Sequence, residues 1–169
     1  DAYLARIAAY DKQGPALNAI VVTNPDATRT ADEFDRRFAA SGPVGPLHCI
    51  PMVVKDNFET IGLQSADGSK SLEGFISAKD AFQVARIKAA GAIVIAKTNM
   101  AEFAFSPYES LSSLQGHTKN PYALDRVPAG SSGGTAAAVA ASFATVGLGS
   151  DTGNSIRGPS AHTALVGIR

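Results

Sequence analysis

Five consecutive apolar residues, Ala92-Ile93-Val94-Ile95-Ala96, leave this chain few options. A strand with one wet face alternates apolar and polar side chains. A run without alternation belongs to a strand covered on both faces, as in a sheet with helices on either side. A helical stretch precedes the run. It starts at Ser77, where Asp80 three residues later resembles a capping box, and stops at Gly91. Further upstream, A-I-V-V-T at 19–23 and C-I-P-M-V-V at 49–54 read as short strands. Residues 2–10 and 26–40 read as helices, the second with Phe34 and Phe38 one turn apart. Strand, helix and strand alternate, so the class is α/β with some parallel pairing.

Downstream, residues 97–130 are mostly irregular, apart from the Gly/Ser-rich loop that closes them. That loop, Gly130–Gly134, opens an Ala-rich helix, and a strand follows at 145–149. Val166-Gly167-Ile168 reads as one more strand. Both ends look cut, which makes the expected organisation a single incomplete domain over 1–169. The balance of 15 Lys+Arg against 15 Asp+Glu gives zero formal charge and argues against nucleic-acid or anionic-membrane partners. No apolar run is long enough for a membrane span. The single cysteine, Cys49, cannot form an internal disulfide and gives no sign of an oxidising compartment, so a cytoplasmic location is the default expectation.

Three constellations could carry chemistry. Lys55 directly follows an apolar strand: it is either a solvated strand end or a desolvated amine whose burial makes it available as a base. A-G-S-S-G-G-T at 129–135 is either a loop capping the next helix, a phosphate cradle that lacks the expected lysine, or a nucleophile elbow with Ser132 as attacker and Asp151 and His162 as partners. Against the elbow, Pro128 and its polar neighbours do not look like a central strand. Third, G-S-D-T-G-N-S at 149–155 comes off a strand into a turn whose N–H groups can converge on an anion. The histidines, His48, His117 and His162, form no i, i+4 pair. With one cysteine there is no metal-ligand pattern, and no cofactor is expected.

Four stretches in order now carry a resemblance: P-M-V-V-K-D-N, G-A-I-V-I-A-K-T-N-M-A-E-F, N-P-Y-A-L-D-R-V-P-A-G-S-S-G-G-T, and G-S-D-T-G-N-S-I-R-G-P. The chain resembles the amidase signature family of serine hydrolases over nearly its whole length. The resemblance implies an α/β/α layered fold with a mixed central sheet, here truncated, since such domains continue well past the last motif. It implies a Ser–Ser–Lys triad that maps to Lys55, Ser131 (beside a cis peptide bond) and Ser155 as nucleophile, which displaces Ser132 to a supporting role. It also implies an oxyanion hole at the N–H groups of Thr152, Gly153, Asn154 and Ser155, with Asp151 and Arg157 as structural supports.

One departure is Asn154, where the family commonly has glycine; asparagine tolerates positive φ better than most residues. The implied activity is hydrolysis of a small-molecule amide through a Ser155 acyl-enzyme, releasing ammonia or an amine. Two alternatives stay open. One is the glutaminase-like component of an aminoacyl-tRNA amidotransferase, whose usual residues are replaced here by Ala101 and Phe105-Ser106-Pro107-Tyr108. The other is an inactive fragment. Assembly as a homodimer is open.

Overall fold

Apolar residues at strand and helix periods sort this chain into eleven regular elements, and the computed structural model describes all of residues 1–169. In order they are α1 (Ala2–Tyr10), β1 (Ile20–Thr23), α2 (Ala27–Ser41), β2 (Pro51–Lys55), α3 (Phe82–Ala89), β3 (Ile93–Thr98), β4 (Leu111–Ser112), β5 (Gly116–His117), α4 (Gly133–Ala140), β6 (Val146–Leu148) and α5 (Arg157–His162). The main sheet has the order β1-β3-β2-β6. β2 runs parallel to both β3 and β6, while β1 is antiparallel to β3, so the sheet is mixed as expected. β4 and β5 form a separate small hairpin.

The unalternated run lies in β3, all six residues of which are buried. Each face of the sheet has its own core. On one side Val53, Ile93, Ile95 and Ala96 pack with Ile7 of α1 and with Ala137, Ala138 and Ala141 at α4. On the other, Met52, Val54 and Val94 meet Val84 of α3 and Leu63. Two faces covered by helices explain why β2 and β3 tolerate no exposed polar position in mid-strand.

α4 approaches the sheet closely because its side chains are small. A Cβ on Gly134 would collide with the Asn99 carbonyl, and one on Gly147 of β6 would collide with the Thr135 methyl. Helix and strand ends can meet at this distance only with glycine on both sides.

Three local expectations are corrected. Ser77 and Asp80 form no capping box: Ser77 Oγ donates to the Lys79 carbonyl, and Asp80 accepts from Ile61 N and Lys88 Nζ. With both side chains engaged elsewhere, α3 starts at Phe82 with Ala81 as N-cap. Residues 166–168 form no strand; Val166 and Ile168 are 92% and 83% exposed. Neither Gly153 nor Asn154 has positive φ, so the turn there needs no left-handed residue. α5 was not anticipated. No helix is long and apolar enough to cross a membrane.

Candidate active site

Parallel strands deliver their following loops to the same end of a sheet. Here β2 ends at Lys55, β3 runs on into Asn99 and Met100, and β6 runs on into the 149–155 turn. The turn before α4 reaches the same end, because the Ser131 carbonyl accepts from Ala101 N at 3.0 Å. The sequence-separated motifs therefore meet.

Lys55 is fully buried and donates from Nζ to Ser131 Oγ at 2.6 Å and to Ser150 Oγ at 2.9 Å. Burial lowers its pKa to about 8, with Asp67 and Asp151 pulling back toward the charged form. Ser131 is itself fully buried and follows a cis peptide bond from Gly130. Its surroundings are braced by Ser110, whose hydroxyl donates to the Ala129 and Ser131 carbonyls and accepts from Gly133 N.

Ser132 ties this turn to the next. Its N donates to the Ser155 carbonyl at 3.2 Å and its Oγ to the Ser150 carbonyl at 3.1 Å. That hydroxyl is buried and holds two chain segments together, and its hydrogen bonds go to Ser150 and not to a histidine. Asp151, the elbow's other partner, is committed to Arg157: its carboxylate accepts from Arg157 Nε, Arg157 Nη2, Ile156 N and Arg157 N at 3.0–3.2 Å. These donors, the guanidinium first, hold Asp151 well below the usual carboxylate range. Arg157 also donates to the Gly153 carbonyl at 2.9 Å, so one side chain fixes both ends of the turn.

Inside that turn the N–H groups of Thr152, Gly153, Asn154 and Ser155 make no hydrogen bond within the chain. Four successive free donors next to a serine hydroxyl are an anion-accepting arrangement. Ser155 is 8% exposed, and its hydroxyl is not hydrogen-bonded to Ser131 or any other group. Asn154 Nδ2 donates to the Pro107 carbonyl at 3.4 Å, which anchors the turn to the loop before the cis bond.

Several polar residues at this end escaped the sequence reading. Ser150 and Asn57 flank Lys55, with Asn57 Nδ2 donating to Ser150 Oγ at 3.0 Å. On the opposite sheet face Lys97, fully buried, donates to Ser65 Oγ and to the Asp56 and Gln64 carbonyls, and pairs with the Asp56 carboxylate at 3.7 Å. Burial pushes Lys97 down to about 8 and Asp56 up. Asp56 Oδ2 in turn accepts from Ala66 N and Gly68 N, holding the left-handed turn at Asp67, whose carboxyl is raised by burial. The one signal available beforehand was a lysine continuing an otherwise apolar buried run. No group of three or more His, Cys, Asp or Glu side chains is placed to share a metal ion.

Comparison with known proteins places the chain in a family. A family model described as Amidase matches residues 1–169. The chain is 46% identical over 169 residues to a glutamyl-tRNA(Gln) amidotransferase subunit of Acidothermus cellulolyticus, covering 99% of this chain and 33% of that protein. The structure superposes on native peptide amidase from Stenotrophomonas maltophilia with a TM-score of 0.91 and 44% identity, covering 95% of this chain and 34% of that one. An amidase family protein from Bacillus anthracis str. Ames gives a TM-score of 0.86 at 36% identity, over 94% of this chain and 33% of that one. The chain thus spans about a third of the length of the relatives it matches. Matched over residues 1–169 by the family model and over 94–95% of its length by solved structures of the same fold, the chain belongs to the amidase signature family.

Proposed function

We propose that the protein hydrolyses a carboxamide through an acyl-enzyme on Ser155. The observation that carries this reading is Lys55: a fully buried lysine with its pKa near 8, hydrogen-bonded to Ser131 Oγ at 2.6 Å, beside a turn of free N–H donors. Neutral Lys55 takes the Ser131 proton while Ser131 takes the Ser155 proton. The Ser155 Oγ–carbon bond forms, and the carbonyl oxygen becomes an oxyanion held by the N–H groups of residues 152–155. The relay returns the proton to the amide nitrogen as the carbon–nitrogen bond breaks. Water then repeats the sequence on the acyl-enzyme and releases the carboxylate. Closure of the Ser131–Ser155 hydrogen bond belongs to the substrate complex, since catalytic hydrogen bonds are often looser without substrate.

The substrate is a small amide, and no metal or cofactor enters these steps. A second reading is favoured by the names of the 46% identical relatives: glutaminase chemistry within an amidotransferase assembly. Ammonia release from simple amides by the full-length protein, lost in Ser155→Ala and Lys55→Ala variants that retain their circular dichroism, supports the first reading. Hydrolysis of glutamine alone, and only with partner proteins of the assembly present, supports the second. Activity kept in Ser155→Ala overturns both.

A further inference from the structure

The environment of Lys55 poses a chemical choice that the relay itself does not resolve. As an ammonium it has three protons, two of which point at Ser131 Oγ and Ser150 Oγ. As a neutral amine it has two protons and one lone pair. Only a lone pair facing Ser131 can accept that hydroxyl's proton. Ser150 competes at 2.9 Å, because its own O–H can donate to the same lone pair. That alternative is idle in the proposed relay, which reaches Ser155 through Ser131 alone.

Asn57 stands where the choice can be made. Its amide reaches Ser150 Oγ at 3.0 Å with Nδ2, while Oδ1 is buried without any partner. The two ends of a carboxamide have nearly the same shape, so a half-turn of the amide puts Oδ1 on Ser150 in the same space. The half-turn leaves Nδ2 where the orphaned Oδ1 was, but it gives the Ser150 proton, which has no acceptor while Ser150 Oγ accepts from both Lys55 and Nδ2, a carbonyl oxygen to go to. In that orientation Ser150 gives its proton to Asn57 and can only accept from Lys55. One Lys55 N–H is then fixed on Ser150, and the lone pair is left for Ser131.

We propose that Asn57, acting through Ser150, is a positioning residue that directs the lone pair of the Lys55 amine toward Ser131. The proposal rests on the reading of Lys55, Ser131 and Ser155 as a relay. Charged groups elsewhere do not supply this directionality. Asp67 and Asp151 act on Lys55 only through their charge, Asp151 is committed to Arg157, and the Asp56–Lys97 pair lies on the other face of the sheet.

The test is a double-mutant cycle on the full-length protein, read as the rate at which a fluorophosphonate probe labels Ser155 across pH. Labelling forms the Ser155 Oγ–phosphorus bond and expels fluoride, with the serine proton passing to Lys55 through Ser131. Asn57→Leu frees the Ser150 hydroxyl to occupy the lone pair, and the plateau rate falls about ten-fold or more. Ser150→Ala removes both the competitor and one acceptor of the ammonium, so the rising limb of its pH profile moves to lower pH. In the Ser150→Ala background, Asn57→Leu has no further effect, because its route of action is gone.

Asn57→Ala repeats the cycle should the leucine variant fail to fold. An unchanged rate in Asn57→Leu overturns the proposal, and so does a loss that persists in the double variant. Absence of labelling in the parent, or labelling unaffected by Lys55→Ala, instead overturns the relay and the proposal with it.

Discussion

Lys55 and Lys97 stand one register step apart on neighbouring parallel strands, with Val54 opposite Lys97 and Lys55 opposite Thr98. Their side chains therefore leave opposite faces of the sheet. One meets hydroxyls at Ser131 and Ser150, the other a carboxylate and carbonyls at Asp56 and Gln64. Both are fully buried, yet only Lys55 lacks a carboxylate in contact. That difference in partners is why we propose Lys55 as the base, while Lys97 is held by Asp56.

Amide hydrolysis, or phosphonylation of Ser155, follows the neutral fraction of Lys55. Its pKa is lowered to about 8, so the rate climbs through pH 8 and levels off above it. Lys55→Ala lowers the plateau by roughly 10²–10⁴-fold and abolishes the limb. A flat profile between pH 6 and 10 in the parent contradicts this role.

Stability has its own pH signature. Both buried lysines titrate near 8 when folded, against about 10.4 in an unfolded chain. Below pH 8 both states hold the proton and the fold bears the full cost of a buried charge. Between pH 8 and 10.4 the unfolded state binds more protons, so stability rises with pH, by about 3 kcal/mol for Lys55 and in the same direction for Lys97, which titrates together with Asp56. Urea denaturation of the parent and of Lys55→Met across this window measures it. The variant loses one lysine's share of the rise; an identical slope refutes the assignment.

Arg157→Met leaves the Asp151 carboxylate with two backbone donors and the more distant Arg169 Nε at 4.0 Å. The parent's depressed Asp151 pKa contributes stability above about pH 3.9, which is lost as pH falls through the folded pKa. In the variant that contribution shrinks, so acid unfolding monitored by fluorescence of a bound apolar dye begins at higher pH. Turnover also drops, since the Gly153 carbonyl loses its tether to the guanidinium.

At the helix–sheet contact, Gly134→Ala drives a methyl into the Asn99 carbonyl. Backbone cannot yield as a flexible side chain does, and the expected loss is about 1–3 kcal/mol or more in denaturant melts. Serine labelling falls with it, because α4 carries the Ser131 turn on its N-terminus.

Local pattern made much of this legible. The unalternated Ile93–Ala96 run placed β3 inside the sheet, and the i, i+4 spacing of Phe34 and Phe38 placed α2, whose two rings stack against His48. Lys55, Ser131 and Ser155 came from motif resemblance, and the structure brings Lys55 and Ser131 into contact. What stayed hidden depends on partners distant in sequence. Ser150 lies 95 residues from Lys55 and 93 from Asn57, and no window of sequence reveals that the three converge. The misread cap has the same cause: Asp80 was drawn to Ile61 N, 19 residues away, before it could serve its own helix. Ser77 and Asp80 had the right residue types at the right spacing, but the tertiary contact prevailed.

The pairing of β2 with β6 has a consequence for the order in which the protein becomes reactive. Met52 meets Val146 across a loop of more than ninety residues, and the turn bearing Ser155 hangs from the end of that last strand. Closing so long a loop comes late, because its entropy must be met before the contact rewards it. A chain emerging from synthesis thus presents Lys55 well before it contains Ser155. Lys55 and the 149–155 turn reach the same end of the sheet only when β6 has joined β2, so on the proposed reading of these residues chemical competence waits for that pairing.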